Sequence, residues 1–557
     1  ITTEMRFSIA PHKKHHAVFA LCVGTTEEET RALLPLAREA LKKHSPFLLD
    51  TPHRLWKPGN NLPTLASPDS ALNILFNTWL PYQTVTSRFW AKMGFYQPGG
   101  AFGFRDQLQD AIALWYVDPE STRQHILAAA AQQFEDGNVR AWWSPDSGYG
   151  VKNATSDHPL WLAWSTAEYI RLSGHGDILD TNISFLSDDR NERTQFDVQC
   201  HEISPRSASL LEHCLASIEY ASAFGAHGLP LMRSGDWNDG FNRIGNHGKG
   251  ESIWLGFFLF SILESFVDLL AARGDTARSE VYRKRATTLK RNLNTHGWDG
   301  HWFLRAFYDD GTPLGSERSH ECRIDAIAQS WSVLSAAGEH EKSKEAMENL
   351  WHFLYDSESK ILKLLDPPFN DLSRKNPGYI KDYPPGIREN GSQYNHAVFW
   401  AAEAFALVGD ADRLYTLLEC ANPIRRSDSE SAARLYEVEP YVVAADIYSA
   451  EHRGKGGWTW YTASAGLMYR TIIETLFGIR FAGTTVSLRP CLPKTWTHGS
   501  ITLPRTHGRY TFTFTARDNH ANILRSITLN GKPLDHTRSQ HILPTDGKPH
   551  RFDLVLE

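Results

Sequence analysis

Seven consecutive residues, Ser234-Gly235-Asp236-Trp237-Asn238-Asp239-Gly240, set two carboxylates and an indole beside a flexible exit. Those parts suit the chemistry of glycosidic bonds. A glycosidic oxygen leaves poorly as an alkoxide, so a carboxylic acid beside it must donate a proton, and a flat aromatic ring gives the pyranose a surface to rest on. Asp236, Trp237 and Asp239 supply these groups, although Asn238-Asp239-Gly240 has equally the composition of a plain turn with capping or solvated acids. Other familiar catalytic patterns are missing: the chain has no GxGxxG after a strand, no HExxH and no GxSxG. Neither a metal nor an organic cofactor is therefore expected.

The motif continues as Phe241-Asn242-Arg243-Ile244-Gly245 and Gly248-Lys249-Gly250-Glu251-Ser252-Ile253-Trp254-Leu255-Gly256. Further stretches accompany it in order along the chain: Asn77-Thr78-Trp79-Leu80-Pro81-Tyr82-Gln83, Gly103-Phe104-Arg105-Asp106-Gln107-Leu108-Gln109-Asp110, Glu321-Cys322-Arg323-Ile324-Asp325 and Gly457-Trp458-Thr459-Trp460-Tyr461-Thr462. Together they resemble the signature of glycoside hydrolase family 94, the inverting disaccharide and oligosaccharide phosphorylases. The likeness runs from about residue 60 to the C-terminal end and falls nearest the branch of cyclic β-1,2-glucan synthases and 1,2-β-oligoglucan phosphorylases.

The resemblance implies a mechanism. Family members use one protein acid and let inorganic phosphate make the attack that water and a second carboxylate make in an inverting hydrolase. The second Asp of the motif is that acid, which maps to Asp239; the alternative is that Asp239 caps a helix and Asp236 acts. Asp236 nearby, with Trp237 and Trp254 limiting hydration, would hold Asp239 protonated near neutral pH. The same resemblance assigns phosphate binding to His396 and Thr462. It gives Arg105, Asp106, Gln109 and Asp110 to the sugar at the non-reducing end; Asp236 and Trp237 are also expected to bind substrate, and Arg388 and Glu389 to line the acceptor groove. Stretches 383–396 and 437–441 are similar to those of the β-1,2-glucan branch. The chain departs from its relatives at Ala463, where Gly is usual, and at His158, where a second acid is usual. The Arg that cellobiose and chitobiose phosphorylases carry just upstream of Arg105 has no counterpart in 97–102.

The implied activity is inverting phosphorolysis of a β-linked glucan, β-1,2-linked in the first instance, to α-glucose 1-phosphate and a shortened chain. The chain would act alone, as a homodimer or as the chain-length-controlling part of a larger synthase. Two alternatives stay open: a non-catalytic glucan-binding module and a glucoamylase-like inverting hydrolase.

Composition narrows the partners. With 58 basic and 64 acidic residues the net charge is −6, which gives no broad basic field for nucleic acid or an anionic membrane. The six cysteines are scattered without a CxxC pair, as suits a reducing cytosol. No uninterrupted apolar run approaches the roughly 20 residues that span a bilayer, and the start, Ile1-Thr2-Thr3-Glu4-Met5, has neither the shape of a signal peptide nor an initiating Met. The expected location is cytoplasmic, or the cytoplasmic face of an inner membrane within a larger synthase.

Positioning these residues requires a large scaffold. Apolar residues recur at helical spacing in twelve segments near 71–89, 107–117, 119–134, 160–174, 207–225, 252–275, 276–294, 324–337, 339–356, 395–408, 410–421 and 463–478. The periodicity predicts helical hairpins; closure into an (α/α)6 barrel is what the resemblance adds. Segments 135–159, 176–206 and 357–394 exceed ordinary loop lengths and are expected to carry function. After Gly478 the period switches to two, with Asn530-Gly531 as a hairpin turn, which predicts a small antiparallel β-sandwich. The expected divisions are 1–24, the end of an N-terminal β-sandwich; 25–70, a linker with a helix from its acid-rich start to about Lys43; 71–482, a mainly α catalytic barrel; and 483–557, the C-terminal sandwich.

Overall fold

The structure, a computed structural model, describes residues 8–13, 22, 26–43, 62–94, 97–187, 198–517 and 519–557. Residues 1–60 form a unit of their own, in which helix α1, Glu27–Lys43, begins at the predicted acidic turn and pairs Glu27 with Arg31 one turn on. The expected strands at 5–9 and 17–21 lie largely outside the described residues.

The second unit, 61–557, carries the twelve predicted helices. The first, α2, is four consecutive pieces, Ser70–Ile74, Leu75–Trp79, Leu80–Tyr82 and Gln83–Trp90, the second and fourth wound as π-helix. Pro81 lies between those two and has no N–H to give the preceding turn, which explains the change of winding. The others are α3 (Phe104–Leu114), α4 (Pro119–Ala130), α5 (Leu160–Ser173), α6 (Leu210–Ala221), α7 (Ile253–Ala272), α8 (Thr276–His296), α9 (Ala326–Leu334), α10 (His340–Leu354), α11 (Asn395–Leu407), α12 (Ala411–Ala421) and α13 (Ser464–Arg470, continued by a π-turn, Thr471–Leu476). Their starts are cut by side-chain caps, among them Asp118, Ser209, Ser252, Asp275, Asp325 and Asp410, each accepting from a backbone N–H two or three residues on.

Packing follows an alternating rule. Helix α3 lies on α5, α5 on α7, α7 on α9, α9 on α11, α11 on α13, and α13 returns to α3. Each of these six has a main partner outside it: α4, α6, α8, α10 and α12 on the first five, and α2 on α13. Apolarity sorts the two layers. α8 buries one stripe, Tyr282, Ala286, Leu289 and Leu293, whereas α7 is buried all round from Ile253 to Phe260. By length and composition α7 is apolar enough to cross a membrane, but Glu264 and Asp268 interrupt its apolar run and 72% of its apolar window is buried inside the fold.

Strand β1, Thr64–Ala66, falls in the stretch expected to be an irregular connector. The Asn77 side-chain amide holds it, accepting from Leu65 N and donating to Leu65 O, so a three-residue strand too short to show a period still has a fixed place. It is the edge of a six-stranded sheet ordered β1-β4-β5-β9-β6-β7, where β4 is His498–Arg505, β5 Gly508–Ala516, β6 Leu524–Leu529, β7 Lys532–Leu534 and β9 Pro549–Leu556. The strands β2 (Ile479–Ala482), β3 (Thr485–Leu488) and β8 (His541–Ile542) form a second sheet. Asn530 (φ 52°) and Gly531 (φ 77°) make the expected tight turn between β6 and β7. One pair departs from the antiparallel expectation. β9 returns past that hairpin and enters beside β5 in parallel register, stacking Phe552 on Phe512 with ring centres 5.0 Å apart.

This arrangement brings one end of the inner helices to a common mouth. Arg105 and Asp106 lie in the first turn of α3, Asp157 and His158 just before α5, Asp325 at the cap of α9, His396 in the first turn of α11, and Thr462 just before α13. Asp239 stands in the loop that leads to α7.

Candidate active site

The Asp236–Asp239 loop is anchored from below. Asp236 is fully buried and receives both ends of the Arg305 guanidinium, Nη1 to Oδ2 at 2.7 Å and Nη2 to Oδ1 at 2.6 Å. Ser252 Oγ donates to Asp236 Oδ2 at 2.6 Å while accepting from Leu255 N to cap α7, and Asn238 N donates to Oδ1. Arg305 Nη2 also donates to Asn238 Oδ1 at 3.0 Å. The expectation that Asp236 binds substrate is therefore corrected: its oxygens are occupied and it faces no cleft. It positions the loop.

Beyond the anchor the chain turns into a short 3-10 helix, Asp239–Phe241. Gly240 is required there, because a Cβ would lie 2.7 Å from Ile380 Cβ and 2.9 Å from Ile380 N. That close approach packs the Asp239 turn against a second one, Tyr379–Asp382, and both Asp239 and Tyr379 line the same lobe of the cleft.

Arg105 joins the carboxylates above the anchor. Its Nη1 reaches Asp157 Oδ1 and Oδ2 at 3.2 and 3.1 Å and the Asp236 carbonyl at 3.2 Å, and its Nη2 donates to Asp239 Oδ2 at 3.0 Å. Asp157 is held from behind by Trp161 Nε1 at 2.8 Å. The other Asp239 oxygen, Oδ1, has no hydrogen-bond partner and stands 4.0 Å from His158 Nε2. Asp239 is recessed, with 45% of its side-chain surface open to the cleft. Burial, with Asp157 and Asp106 adding to it against the opposing Arg105, pushes its carboxyl up to about 6. The sequence reading assigns that rise to Asp236; the carboxylates that raise Asp239 are instead Asp157 and Asp106, while Asp236 is paired with Arg305. Trp254 is buried among Phe258, Trp331 and Trp400, away from the cleft.

Two lobes of the cleft meet at Arg105, Asp106 and Asp239. The smaller, about 130 Å³, is completed by Arg388, His396, Thr462 and Trp237 among others. The larger, about 320 Å³, is completed by Trp142, Asn153, Thr155, His158 and Tyr379 among others. Two of the three long inter-helix segments supply these walls: 135–159 gives Trp142, Asn153, Thr155 and His158, and 357–394 gives Tyr379, Arg388 and Glu389.

In the smaller lobe, burial lowers the His396 imidazole to about 3, so it is neutral, and its Nε2 has no partner. Its ring packs edge-on against Trp400 at 4.7 Å, and Trp237 lies 5.7 Å away. Thr462 Oγ1 is 2.8 Å from Ser464 Oγ at the start of α13. Ala463 has φ −73°, which any L-residue adopts, so its Cβ costs no backbone strain there. Arg388 is held over Trp458, its guanidinium carbon 3.4 Å from the ring centre, with a hydrogen bond to Tyr461 Oη and with Nε 3.9 Å from Glu389 Oε2. Asp106 stays ionised: burial opposes its charge, but Arg105 and Arg88 hold it below the usual carboxylate range.

Two further expectations change. Gln109 is one helical turn beyond Arg105 and lines a separate cavity at the far end of the inner helices. Asp110 is buried against Arg88 Nε at 2.8 Å, and Arg88 donates in turn to the Tyr461 carbonyl, so Asp110 supports the smaller lobe from behind. Arg88, Asp157 and Arg305 went unassigned in the sequence. The one signal for Arg305 is a cation inside the apolar run Phe303-Leu304-Arg305-Ala306-Phe307. In the stretch 437–441, Glu437 pairs with Lys455, Glu439 accepts from Trp460 Nε1, and Tyr441 stacks on Trp79.

Comparison with known proteins sets this geometry among relatives. Residues 56–478 match the sequence model of the glycosyl hydrolase 94 superfamily catalytic domain. The chain is 43% identical over 451 residues to the cyclic beta-(1,2)-glucan synthase NdvB of Rhizobium meliloti, covering 80% of this chain and 16% of that protein. It is 27% identical over 476 residues to the solabiose phosphorylase of Paenibacillus borealis, covering 84% of this chain and 57% of that one. The chain thus spans less than two thirds of the length of either relative. Among solved structures, a family GH78 rhamnosidase of Bacillus sp. GL1 is similar in fold at 14% identity, with a TM-score of 0.54 over 89% of this chain and 44% of that one.

Proposed function

The chain belongs to the glycosyl hydrolase 94 superfamily, and on that footing we propose that it cleaves a β-linked glucan by inverting phosphorolysis. The observation that carries this reading is the position of Asp239 at the junction of two lobes, one of them walled by Arg105, Arg388, His396 and Thr462. Asp239 gives its proton to the glycosidic oxygen as the C1–O bond breaks. Phosphate in the smaller lobe attacks C1 from the opposite face, forming the new C1–O bond of α-glucose 1-phosphate and releasing a chain one residue shorter. No second protein carboxylate is needed as base, because the dianion is itself the nucleophile.

The lobe suits that nucleophile. Two guanidiniums, a neutral imidazole and a hydroxyl offer donors to a tetrahedral dianion, and a volume of about 130 Å³ admits one such group. Arg388, expected in the acceptor groove, is assigned here to phosphate. Arg105 and Asp106, shared by both lobes, would hold the terminal sugar. The scaffold that presents them is read as an (α/α)6 barrel, supported by the succession of inner helices that returns from α13 to α3.

The substrate is assigned to the β-1,2 class, supported by the 43% identity to a cyclic beta-(1,2)-glucan synthase. Within a longer polypeptide the domain would trim glucan chains and so set their length. A reducing cytosol is the assigned setting, supported by six free cysteines, of which Cys214, Cys322, Cys420 and Cys491 are buried.

His396→Ala and Thr462→Val test the phosphate lobe. Each is expected to raise the KM for phosphate at least tenfold, about 1.4 kcal/mol, while the KM for glucan changes less than threefold. Unchanged phosphate KM in both variants, with folding intact, would refute the assignment.

A further inference from the structure

At the opposite end of the inner helices lies a second cavity, about 390 Å³, which the catalytic reading leaves unused. Its walls come from α5, α7, α9, α11 and α13 with Gln109 of α3, and it is covered in part by the β2–β3 hairpin and Gln540. Trp161 and Trp400 separate it from the catalytic cleft, since both line the cavity while Trp161 Nε1 holds Asp157 and Trp400 packs on His396 and Trp237.

Its lining is charge-balanced. Glu168, Glu403 and Glu474 stand among Arg171, Arg470 and Arg480. Most of these charges are already committed: Arg171 and Arg470 each pair with both Glu168 and Glu474 at 2.7–3.0 Å. Glu403 accepts one bond, from Thr471 Oγ1 at 2.9 Å. Trp331 borders the cavity, but its ring is packed among Trp254, Phe258 and Trp400.

The three features select a ligand class. Balanced charge gives no preference for an anion or a cation. Fixed donors and acceptors suit a molecule that is both, and the half-buried ring of Trp164 suits one with a flat apolar face. A neutral sugar has all three properties, and a cavity of this volume accommodates one or two pyranose units. From this we infer that the far mouth of the helical ring is a second, non-catalytic saccharide-binding site, with Glu403 and Trp164 as its contacts. The inference does not depend on phosphorolysis at the first mouth.

Calorimetric titration of the full chain, without phosphate, against a linear β-1,2-linked glucotetraose tests it. Two binding steps are expected. Ser265→Trp, which places a large side chain on the cavity wall from an exposed position of α7, is expected to remove one of them. Glu403→Gln, which keeps the side-chain shape, is expected to weaken the same step at least tenfold. Thr462→Trp, in the catalytic cleft, is expected to remove the other step only. A single step in the wild type that Thr462→Trp abolishes, or a second step that neither Ser265→Trp nor Glu403→Gln alters, would overturn the inference. A failure of the phosphorolysis reading would look different, as absent turnover with the far-mouth step still present.

Discussion

Replacing Asp239 by Asn is expected to lower phosphorolysis by about 10²–10⁴-fold, the range that positioned general acids supply, with glucan binding nearly unchanged. The amide keeps the size of the carboxyl and still accepts from Arg105 Nη2, so the clasp to Asp157 survives. What it cannot do is hand a proton to a departing sugar oxygen. The wild-type pH profile should carry the same signature. A carboxyl raised to about 6 is protonated below that pH, so the rate of phosphorolysis falls as pH rises through about 6 and beyond. In synthesis from α-glucose 1-phosphate the ionised form must take a proton from the acceptor hydroxyl, so that rate falls instead as pH drops through the same point. In Asp239→Asn both limbs should disappear from the residual activity. Initial rates across pH in both directions measure this, and a well-folded Asp239→Asn enzyme that keeps wild-type rates would refute the assignment.

Arg305→Met is expected to destabilise the fold by about 3–5 kcal/mol, the usual cost of leaving one member of a buried ion pair without its partner. Neither Arg305 nor Asp236 is exposed, so water cannot solvate the carboxylate that remains. The same change frees the loop that presents Asp239, and kcat should fall with KM for glucan comparatively spared. Arg305→Met combined with Asp236→Asn should recover part of the stability, because no bare buried charge is left. Denaturant unfolding of the two single variants and the double variant makes the comparison. A loss below about 0.5 kcal/mol in Arg305→Met, the size of an ordinary surface change, would contradict the anchoring role.

The sequence made the helices legible because each buries a stripe or a whole face at a period near 3.6, and their caps mark the starts. Strand β1 was not legible, since three residues show no period and their place depends on the Asn77 amide. The parallel entry of β9 beside β5 is a matter of chain path, which alternation does not encode. The site divides the same way. Asp239, Trp237, His396 and Thr462 could be named from their motifs, and the structure gathers them with Arg105, Asp106, Arg388 and Glu389 around one lobe. Asp236 has the same residue type and nearly the same position as Asp239, yet its role is set by Arg305, 69 residues away. Gln109 and Asp110 belong to the Arg105 motif, but a helix rises about 1.5 Å per residue. One turn carries Gln109 to the wall of the far cavity, and its neighbour faces Arg88. Sharing a motif in sequence does not mean sharing a surface.

The most direct test of the central claim is the product balance from a linear β-1,2-linked gluco-oligosaccharide, followed by anomer-resolved NMR with and without inorganic phosphate. The expected result is one α-glucose 1-phosphate for each glycosidic bond lost, no cleavage when phosphate is omitted, and much slower reaction with cellobiose or chitobiose. Release of free glucose at the same rate in the absence of phosphate would contradict it and make the protein a hydrolase.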